Sequence, residues 1–274
     1  MINGDNNTPG PVVNRDTMPF AAPCRELAPL APLQWVRLGI ADLRHAPGAS
    51  LVYGAVMTII IASVSLSAWV YGSQWLVLAM ICGFVFLAPL TCVGLYAISA
   101  QLERGQPVSM MRSLRAAFRR CFGNEMIFAL VLLVIFFIWA RSGMLVIAFM
   151  TGNEGVTQQN LLALLGVGSA VGAVFAAITY SASAFALPMI MHRDVDAITA
   201  VVTSVNAVLR NRLAMLVWLI IIALGLLLGF ATAFVGLVVI LPVIGYGAWH
   251  GYLQTVDASA FPRHEAGITS VPRS

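Results

Sequence analysis

Long apolar runs are the feature that most constrains this chain. They occupy residues 51–71, 75–98, 126–150, 161–191 and 213–253. A helix rises about 1.5 Å per residue, so about 20 apolar residues cross a hydrocarbon core of roughly 30 Å. The last run has 41 residues without a charge. It is about twice the length that one helix needs, and we expect it to divide near residues 230–232. The sequence therefore predicts six transmembrane helices.

The composition excludes a water-soluble domain. Hydrophobic residues make up 60% of the chain and charged residues 9%, whereas a soluble domain has about 25% charged residues. Such a chain cannot cover its surface in water, and it is too apolar to be disordered over most of its length. The formal net charge of +4 comes from arginines that flank the apolar runs. This placement favours anionic lipid headgroups over nucleic acid as the partner.

The arginines fall on one side of the predicted membrane. All 15 basic residues are Arg, and 14 of them lie in four segments. These segments are 1–50, 99–125, 192–212 and 254–274. The alternating loops, which include 72–74 and 151–160, contain no Arg. Because cytoplasmic loops of membrane proteins are enriched in Arg and Lys, we expect a multi-pass protein of the bacterial inner membrane with both termini in the cytoplasm.

The two ends of the chain differ from its middle. Residues 1–32 are rich in proline, asparagine and glycine and contain no apolar run, which predicts a disordered tail. They also lack the basic start and apolar core of a signal peptide, so we expect the first span to stay in the mature protein. The membrane domain is predicted to cover 33–255, and 256–274 to form a flexible C-terminal tail.

Three segments outside the spans have the pattern of amphipathic helices. They are 33–46, 107–122 and 197–211. In the second, Arg112, Arg115 and Arg119 share a face opposite an apolar face, and the third has a broad apolar face that includes Ile198 and Leu209. Such helices lie in the membrane interface. We expect the three arginines of 107–122 to contact anionic headgroups on the cytoplasmic leaflet.

Each of these helices is followed by an outward and a return span, which predicts three hairpins. Every return span carries a proline toward its cytoplasmic end: Pro89, Pro188 and Pro242. Proline removes a backbone hydrogen bond, kinks the helix and frees a carbonyl one turn earlier. The prolines either mark a cavity or hinge, as broken helices do in transporters, or kink the helices for packing. The three units are either an internal repeat or a shared pattern.

Arg141 is the one charged residue that lies inside an apolar run. An intramembrane charge is costly and is therefore a candidate functional residue. The alternative is that the span ends near Ala140 and that the Arg141 side chain reaches the outer surface.

The sequence contains no pattern typical of catalysis or metal binding. Helix capping and interface anchoring explain His192, Asp194 and Asp196 better than a metal does, and His250 beside Trp249 fits an aromatic belt. A glycine-rich phosphate loop, a nucleophile elbow and paired carboxylates are missing, and the four cysteines form no CxxC. We expect no catalytic residue, no cofactor and no metal.

Three stretches resemble a family of bacterial integral-membrane proteins catalogued as domain of unknown function 2189. They are QWVRLGIADLRHAPGASLVYG (34–54), GFVFLAPLTCVGLYAISAQLERG (83–105) and FALPMIMHRDVDAITAVVTSVNAV (185–208). The resemblance spans roughly residues 30–255. It implies an inner-membrane protein with six spans, and it supplies no catalytic residues to carry over.

Two functions fit these observations. The first is a non-catalytic inner-membrane protein that organises or senses the membrane or envelope. The alternative is a transporter of a small apolar or lipid-like solute, with a cavity near the three prolines. The scarcity of charge inside the spans favours the first.

Overall fold

The computed structural model describes residues 19–71, 93–105, 107–109, 113, 124–151 and 158–263. Within these ranges the regular structure is helical, with two isolated backbone bridges. The helices are α1 (Ala31–His45), α2 (Pro47–Tyr71), α3 (Asn124–Thr151), α4 (Gln158–Ser183), α5 (Ala186–His192), α6 (Ala197–Arg210), α7 (Arg212–Ala231) and α8 (Leu237–Thr255). Residues 93–103 are also helical and are called the 93–103 helix. The predicted all-α fold class is confirmed for the described residues.

Five segments are long and apolar enough to cross a membrane. They are Pro47–Ser67, Met126–Met150, Leu161–His192, Arg212–Ala231 and Leu237–Thr255. The run at 213–253 is divided between α7, which ends at Ala231, and α8, which begins at Leu237, so the break near 230–232 is confirmed. Most of the remaining predicted span, 75–98, lies outside the described residues, and the number six stays a prediction.

α3 and α4 expose apolar side chains along their length. Phe149 on α3 is 87% exposed and Leu162 on α4 is 81% exposed. Each Å² of apolar surface left in water costs about 25 cal/mol, so these faces need apolar surroundings. Since the backbone groups inside a helix are satisfied by the helix itself, lipid is a suitable surrounding for them.

α8 is the helix against which α1, α2, α5 and α7 pack. α1 meets it where glycines let the two backbones approach closely. A Cβ atom added at Gly39 would lie 2.5 Å from the Val243 carbonyl oxygen and 3.1 Å from the Gly247 backbone nitrogen. Contacts through small residues provide the van der Waals packing that holds helices together in lipid. The contact between α1 and α8 is therefore a tight one.

Trp35 of α1 packs over the same stretch of α8. Its side chain is fully buried, and a Cβ atom added at Gly251 would come within 2.9 Å of its ring. The indole Nε1 donates to Gln254 Oε1 at 2.6 Å. The rings of Trp218 and Phe185 meet Trp35 edge to face. A buried indole N–H needs such an acceptor, so Trp35 is fixed in position as well as buried.

Residues 19–30, called the N-terminal strap, are held in place on the helix ends. The Arg25 N–H donates to the Thr255 carbonyl at 2.8 Å, and the Asp257 N–H donates to the Pro23 carbonyl at 2.9 Å. The Ala22 N–H donates to Thr203 Oγ1 at 3.0 Å. The expectation of a disordered tail over 1–32 is thus wrong for residues 19–32, the last two of which belong to α1. Residues 1–18 lie outside the described residues.

The beginning of the predicted C-terminal tail is anchored too. The Asp194 N–H donates to the Pro262 carbonyl at 2.9 Å, and Arg193 Nη1 donates to the Phe261 carbonyl at 2.8 Å. Residues 256–263 therefore depart from the flexible tail that was expected over 256–274, and 264–274 lie outside the described residues. A proline has no N–H, but its carbonyl accepts hydrogen bonds like any other. A prediction of flexibility from proline-rich composition alone therefore overlooks hydrogen bonds that proline carbonyls accept.

Asn211, at the junction of α6 and α7, binds the strap through its side chain. Asn211 Oδ1 accepts from the Leu27 N–H at 2.8 Å, and Nδ2 donates to the Arg25 carbonyl at 3.0 Å. Nearby, Cys24 is buried. Burial raises the pKa of the Cys24 thiol, and the charge of Arg210 partly opposes this. The thiol is therefore protected from alkylating reagents, which react with thiolates.

The glycine contact gives a first prediction. Gly39→Ala places a methyl group against backbone atoms that cannot move aside, and we expect it to lower the free energy of unfolding by about 1–3 kcal/mol. Gly143→Ala is the matched control, because nothing lies within 4 Å of an added Cβ there. That substitution should leave stability unchanged or raise it by up to about 1 kcal/mol. Unfolding in detergent, followed by circular dichroism, measures both, and equal effects would contradict the tight contact.

The strap gives a second prediction. Asn211→Ala leaves two backbone groups of the strap without partners, at a cost of about 1–3 kcal/mol, so the strap should open more often. We expect faster alkylation of Cys24 and faster tryptic cleavage after Arg25, both measured by mass spectrometry of peptides. Asn206→Ala removes only a 3.9 Å contact with Cys24 Sγ and should change both rates less. Unchanged rates in Asn211→Ala would show that the strap does not depend on Asn211.

Candidate functional site

A buried carboxylate, a hydroxyl and an imidazole meet between α1, the 93–103 helix and α8. His250 Nε2 lies 2.9 Å from Asp42 Oδ2, and Ser99 Oγ donates to the same oxygen. The side chains of Asp42 and His250 are 14% and 19% exposed. A carboxylate removed from water in this way must be compensated by hydrogen bonds or by an opposite charge. These three residues are called the Asp42 cluster.

A second chain of hydroxyls lies beside the Asp42 cluster. Ser50 Oγ donates to the Ala46 carbonyl at 2.6 Å, and Tyr246 OH lies 2.6 Å from Ser50 Oγ. Because a serine hydroxyl carries one proton, Tyr246 is the donor in the second bond. Tyr53, from α2, brings a further buried hydroxyl that has no hydrogen-bond partner. Ser50 and Tyr53 thus place polar groups of the candidate span Pro47–Ser67 beside the cluster.

Local sequence explains why these side chains converge. Tyr246 and His250 are one helical turn apart on α8 and so share a face, while Gly247 keeps the neighbouring face free for α1. Asp42 lies near the C-terminal end of α1, where the helix dipole disfavours a carboxylate. The hydrogen bonds from Ser99 and His250 offset that disfavour. The site therefore depends on how α1 is seated on α8.

Aromatic side chains surround the next turn of α8. Trp249 stacks on Tyr96 with ring centroids 6.0 Å apart. Both Trp249 and Tyr252 contact the ring of His192, and His192 Nδ1 lies 3.0 Å from Tyr252 OH. This packing joins α5 to α8. It also places these aromatic rings next to the Asp42 cluster.

The order of the hydrogen bonds decides what chemistry the cluster supports. In a catalytic serine triad the imidazole stands between the hydroxyl and the carboxylate, so that it can take the hydroxyl proton. In this cluster Asp42 Oδ2 stands between Ser99 and His250. The Ser99 proton already points to the carboxylate, and His250 has no serine to activate there. The arrangement is suited to pairing the imidazole with a carboxylate rather than to nucleophilic attack.

Two of the three predicted proline sites are described, and both are buried. Pro188 lies in α5, just after a break at Ala184 and Phe185. Ser204 repairs that break, since its Oγ accepts from the Phe185 N–H at 3.0 Å and donates to the Ser181 carbonyl at 2.7 Å. The break thus has a structural function, because it anchors α6.

Pro242 lies inside α8, which continues through it. Gly54 of α2 lies against the Val238 carbonyl, one turn before this proline. That is the carbonyl which a proline at 242 leaves without its helical donor. The position of Pro242 is therefore also the point of close contact between α2 and α8. Pro89 lies outside the described residues, so a cavity or hinge formed by the three prolines stays a prediction.

The predicted charged sites are placed only in part. Arg141 lies on an exposed face of α3. Arg112, Arg115 and Arg119 lie outside the described residues, and their contact with lipid headgroups stays a prediction. Asp196 caps α6 by accepting from the Thr199 N–H at 2.9 Å, as its position before the helix predicts. Among the described residues, no group of three or more metal-ligating side chains occurs.

Sequence reasoning missed the Asp42 cluster. His250 was assigned to an aromatic belt, yet its partner is Asp42, 208 positions earlier in the chain. Asp42 was placed on a surface helix, so its carboxylate was not considered as a partner for a residue in a span. One signal was present in the sequence: Gly247 and Gly251 flank His250 at the spacing that brings helices close together.

α6 presents two unlike faces. Its inner face buries small and hydroxyl side chains, which are Ala197, Thr199, Ala200, Thr203, Ser204 and Ala207, along with Val208. Ile198 and Leu209, on the opposite face, are 65% and 54% exposed. Hydrogen bonds of Thr203 with the strap and of Ser204 with the α4–α5 break hold the inner face in place. The apolar residues predicted to form one face are thus only partly directed outward: Ile198 and Leu209 are exposed, Val201, Val202 and Val205 are partly buried, and Val208 is buried.

Five long apolar helices, with apolar side chains exposed along α3 and α4, define an integral membrane protein that is helical over the described residues. Residues 76–192 match the model of the family described as predicted integral membrane protein, DUF2189. This match confirms the resemblance in residues 83–105 and reaches the beginning of the stretch at 185–208, whereas 34–54 lies outside it. No curated protein and no solved structure matches the chain.

Proposed function

We propose that the protein is a non-catalytic component of the bacterial inner membrane that organises or senses the membrane from its cytoplasmic face. The single observation that carries this proposal is the outward apolar face of α6. A helix that is fixed through one face and exposes branched apolar side chains on the other needs a second apolar phase to cover that face.

The position of α6 favours lipid as that phase. α6 ends at Arg210, and α7, which contains a candidate span, begins at Arg212. One residue thus separates the exposed apolar face from a segment that can enter the membrane. A helix at that place can sink its apolar side chains to the level of the acyl chains while its polar residues stay near the headgroups.

α1 presents a similar outer face. Leu33 and Ile40 are exposed there, and Arg37 and Arg44 lie on the same side of the helix. Arginines next to exposed apolar residues suit the anionic headgroups of a cytoplasmic leaflet. Together, α1 and α6 would form an interfacial layer joined by the strap, and Arg112, Arg115 and Arg119 would belong to the same layer.

The order of hydrogen bonds in the Asp42 cluster supports a non-catalytic function, since Ser99 and His250 share one carboxylate oxygen. The alternative, transport of a small apolar or lipid-like solute, requires a cavity that reaches all three prolines. Pro188 and Pro242 both lie in packed surroundings. No observation in the described part of the chain favours transport, and we keep it as the alternative only.

The arginine distribution predicts the topology. A green fluorescent protein fused after Ser274 should fluoresce, because that end is expected in the cytoplasm. Alkaline phosphatase fused at the same position should be inactive. The matched control is the same pair of reporters fused within residues 152–157, where the activities should be reversed. An active phosphatase after Ser274 would contradict the proposed orientation.

The outer face of α6 predicts direct contact with lipid. A photoreactive phenylalanine analogue in place of Ile198 or Leu209 should form adducts with lipid acyl chains in vesicles that contain anionic lipid, as seen by mass spectrometry. The control is the same analogue in place of Asn206, which is exposed on the flank of the helix and should form fewer such adducts. Adducts mainly with peptides of this chain, or equal lipid adducts at all three positions, would contradict the proposal.

A further inference from the structure

We propose that Asp42, Ser99 and His250 form an internal proton-binding site whose occupancy strengthens the contact between α1 and α8. This inference goes beyond the proposed function. It does not depend on where α6 lies, because the three residues belong to α1, the 93–103 helix and α8.

The hydrogen bonds indicate where the protons of the site lie when His250 is neutral. Asp42 Oδ2 has two neighbours, Ser99 Oγ and His250 Nε2, and Ser99 donates to it. When Asp42 is ionised, its Oδ2 has no proton and can only accept a hydrogen bond from each neighbour. Neutral His250 then bears its proton on Nε2, directed to Asp42, and Nδ1 is the atom at which a further proton binds. Proton binding converts the imidazole to an imidazolium beside a carboxylate.

Burial makes this pair sensitive to charge. Both side chains are mostly removed from solvent, where a charge interaction is stronger than in water. With neutral His250 the Asp42 carboxylate is held by hydrogen bonds alone. With protonated His250 it also faces a cation at 2.9 Å. Because the two charges belong to different helices, the bound proton draws α1 toward α8.

Among the arginines that the structure describes, none takes the place of His250 at this carboxylate. Among the described residues, the ion pairs to arginine are Arg25 with Asp257 and Arg210 with Glu26, both at the surface. In the part of the chain that the structure describes, the titratable groups that face the cluster are tyrosines, Tyr53 from α2 and Tyr246 from α8 itself. The charged state of the cluster thus depends mainly on Asp42 and His250.

Further ionisable groups lie on the neighbouring elements. His192 of α5 belongs to the aromatic packing around Trp249 and Tyr252. The 93–103 helix ends with Glu103, and α7 begins with Arg212, which is exposed. The described part of α7 that packs on α1 contributes Met215 and Trp218, neither of which titrates.

The site lies near the C-terminal end of α8, and protons can reach it from that end. His250 lies five residues before Thr255, the last residue of α8, so it is about 7.5 Å from the end of that helix. Its side chain retains some exposure. An ionisable residue inside a candidate span is a functional hypothesis by default when its partner can be named, and here the partner is Asp42.

The test is nuclear magnetic resonance of the full-length protein in lipid nanodiscs with isotope-labelled histidine, because the imidazole signals report protonation directly. His250→Gln identifies the His250 signals by their loss. We expect these signals to change from those of a neutral imidazole to those of an imidazolium as the pH is lowered. A His250 that stays neutral from about pH 5 to 8 would overturn the proposal.

Asp42→Asn is the decisive variant, since it removes the charge and keeps the shape. An opposite charge within about 4–6 Å favours the charged form of a group by roughly one pH unit or more. The ratio of imidazolium to neutral His250 at a fixed pH should therefore fall about tenfold or more in Asp42→Asn. An unchanged ratio would overturn the proposal. His45, exposed at the end of α1, is the internal control and should keep its ratio.

A second measurement tests the coupling to α1. Thermal unfolding of the wild type in nanodiscs should occur at higher temperature where His250 is protonated and Asp42 is ionised. His250→Gln and Asp42→Asn should both reduce this dependence on pH, whereas His45→Gln should keep it. Equal pH dependence in all four proteins would exclude the coupling. Failure of the lipid-adduct experiment leaves these results unaffected, so the two proposals can fail separately.

Discussion

The close contact of α1 with α8 is the interaction on which the packing around α8 depends. Lipid provides no hydrophobic force between two apolar helices, so their association relies on packing and hydrogen bonds. Gly39 and Gly247 remove the side chains that would keep the backbones apart. Once the helices touch, Trp35 is buried and Asp42 reaches His250. The aromatic packing and the polar cluster are both consequences of that approach.

The chain deals with its apolar residues in two different ways. α3 and α4 leave them on the outside, where lipid covers them, whereas α8 buries its faces against α1, α2 and α7. Polar side chains follow the same division. They are used where helices meet, as Ser204 is at the α4–α5 break and as Ser50 is beside Tyr246. Among the described residues, the side-chain hydrogen bonds that join different elements thus lie in the packed part of the protein.

The sequence predicts those parts of the fold that depend on local composition. Run lengths locate the spans, and a run of 41 uncharged residues must divide, as it does before Leu237. Long-range pairing is beyond such reasoning. The strap was mistaken for disorder because its prolines lack donors, although the Pro23 carbonyl is an acceptor for Asp257. His250 and Asp42 carry no local sign that they meet, since each alone fits a membrane boundary.

The N-terminal strap has a consequence for the order in which the protein can be built. Its partners are Thr203 and Asn211, which are synthesised long after it, and Thr255 and Asp257, which are synthesised later still. Contacts between residues so distant in the chain form only after both have left the ribosome. Residues 19–30 therefore lack these hydrogen-bond partners while the intervening helices are inserted. Closing the strap is therefore a step that follows the synthesis of α8, and it joins the first described residues to the last described helix.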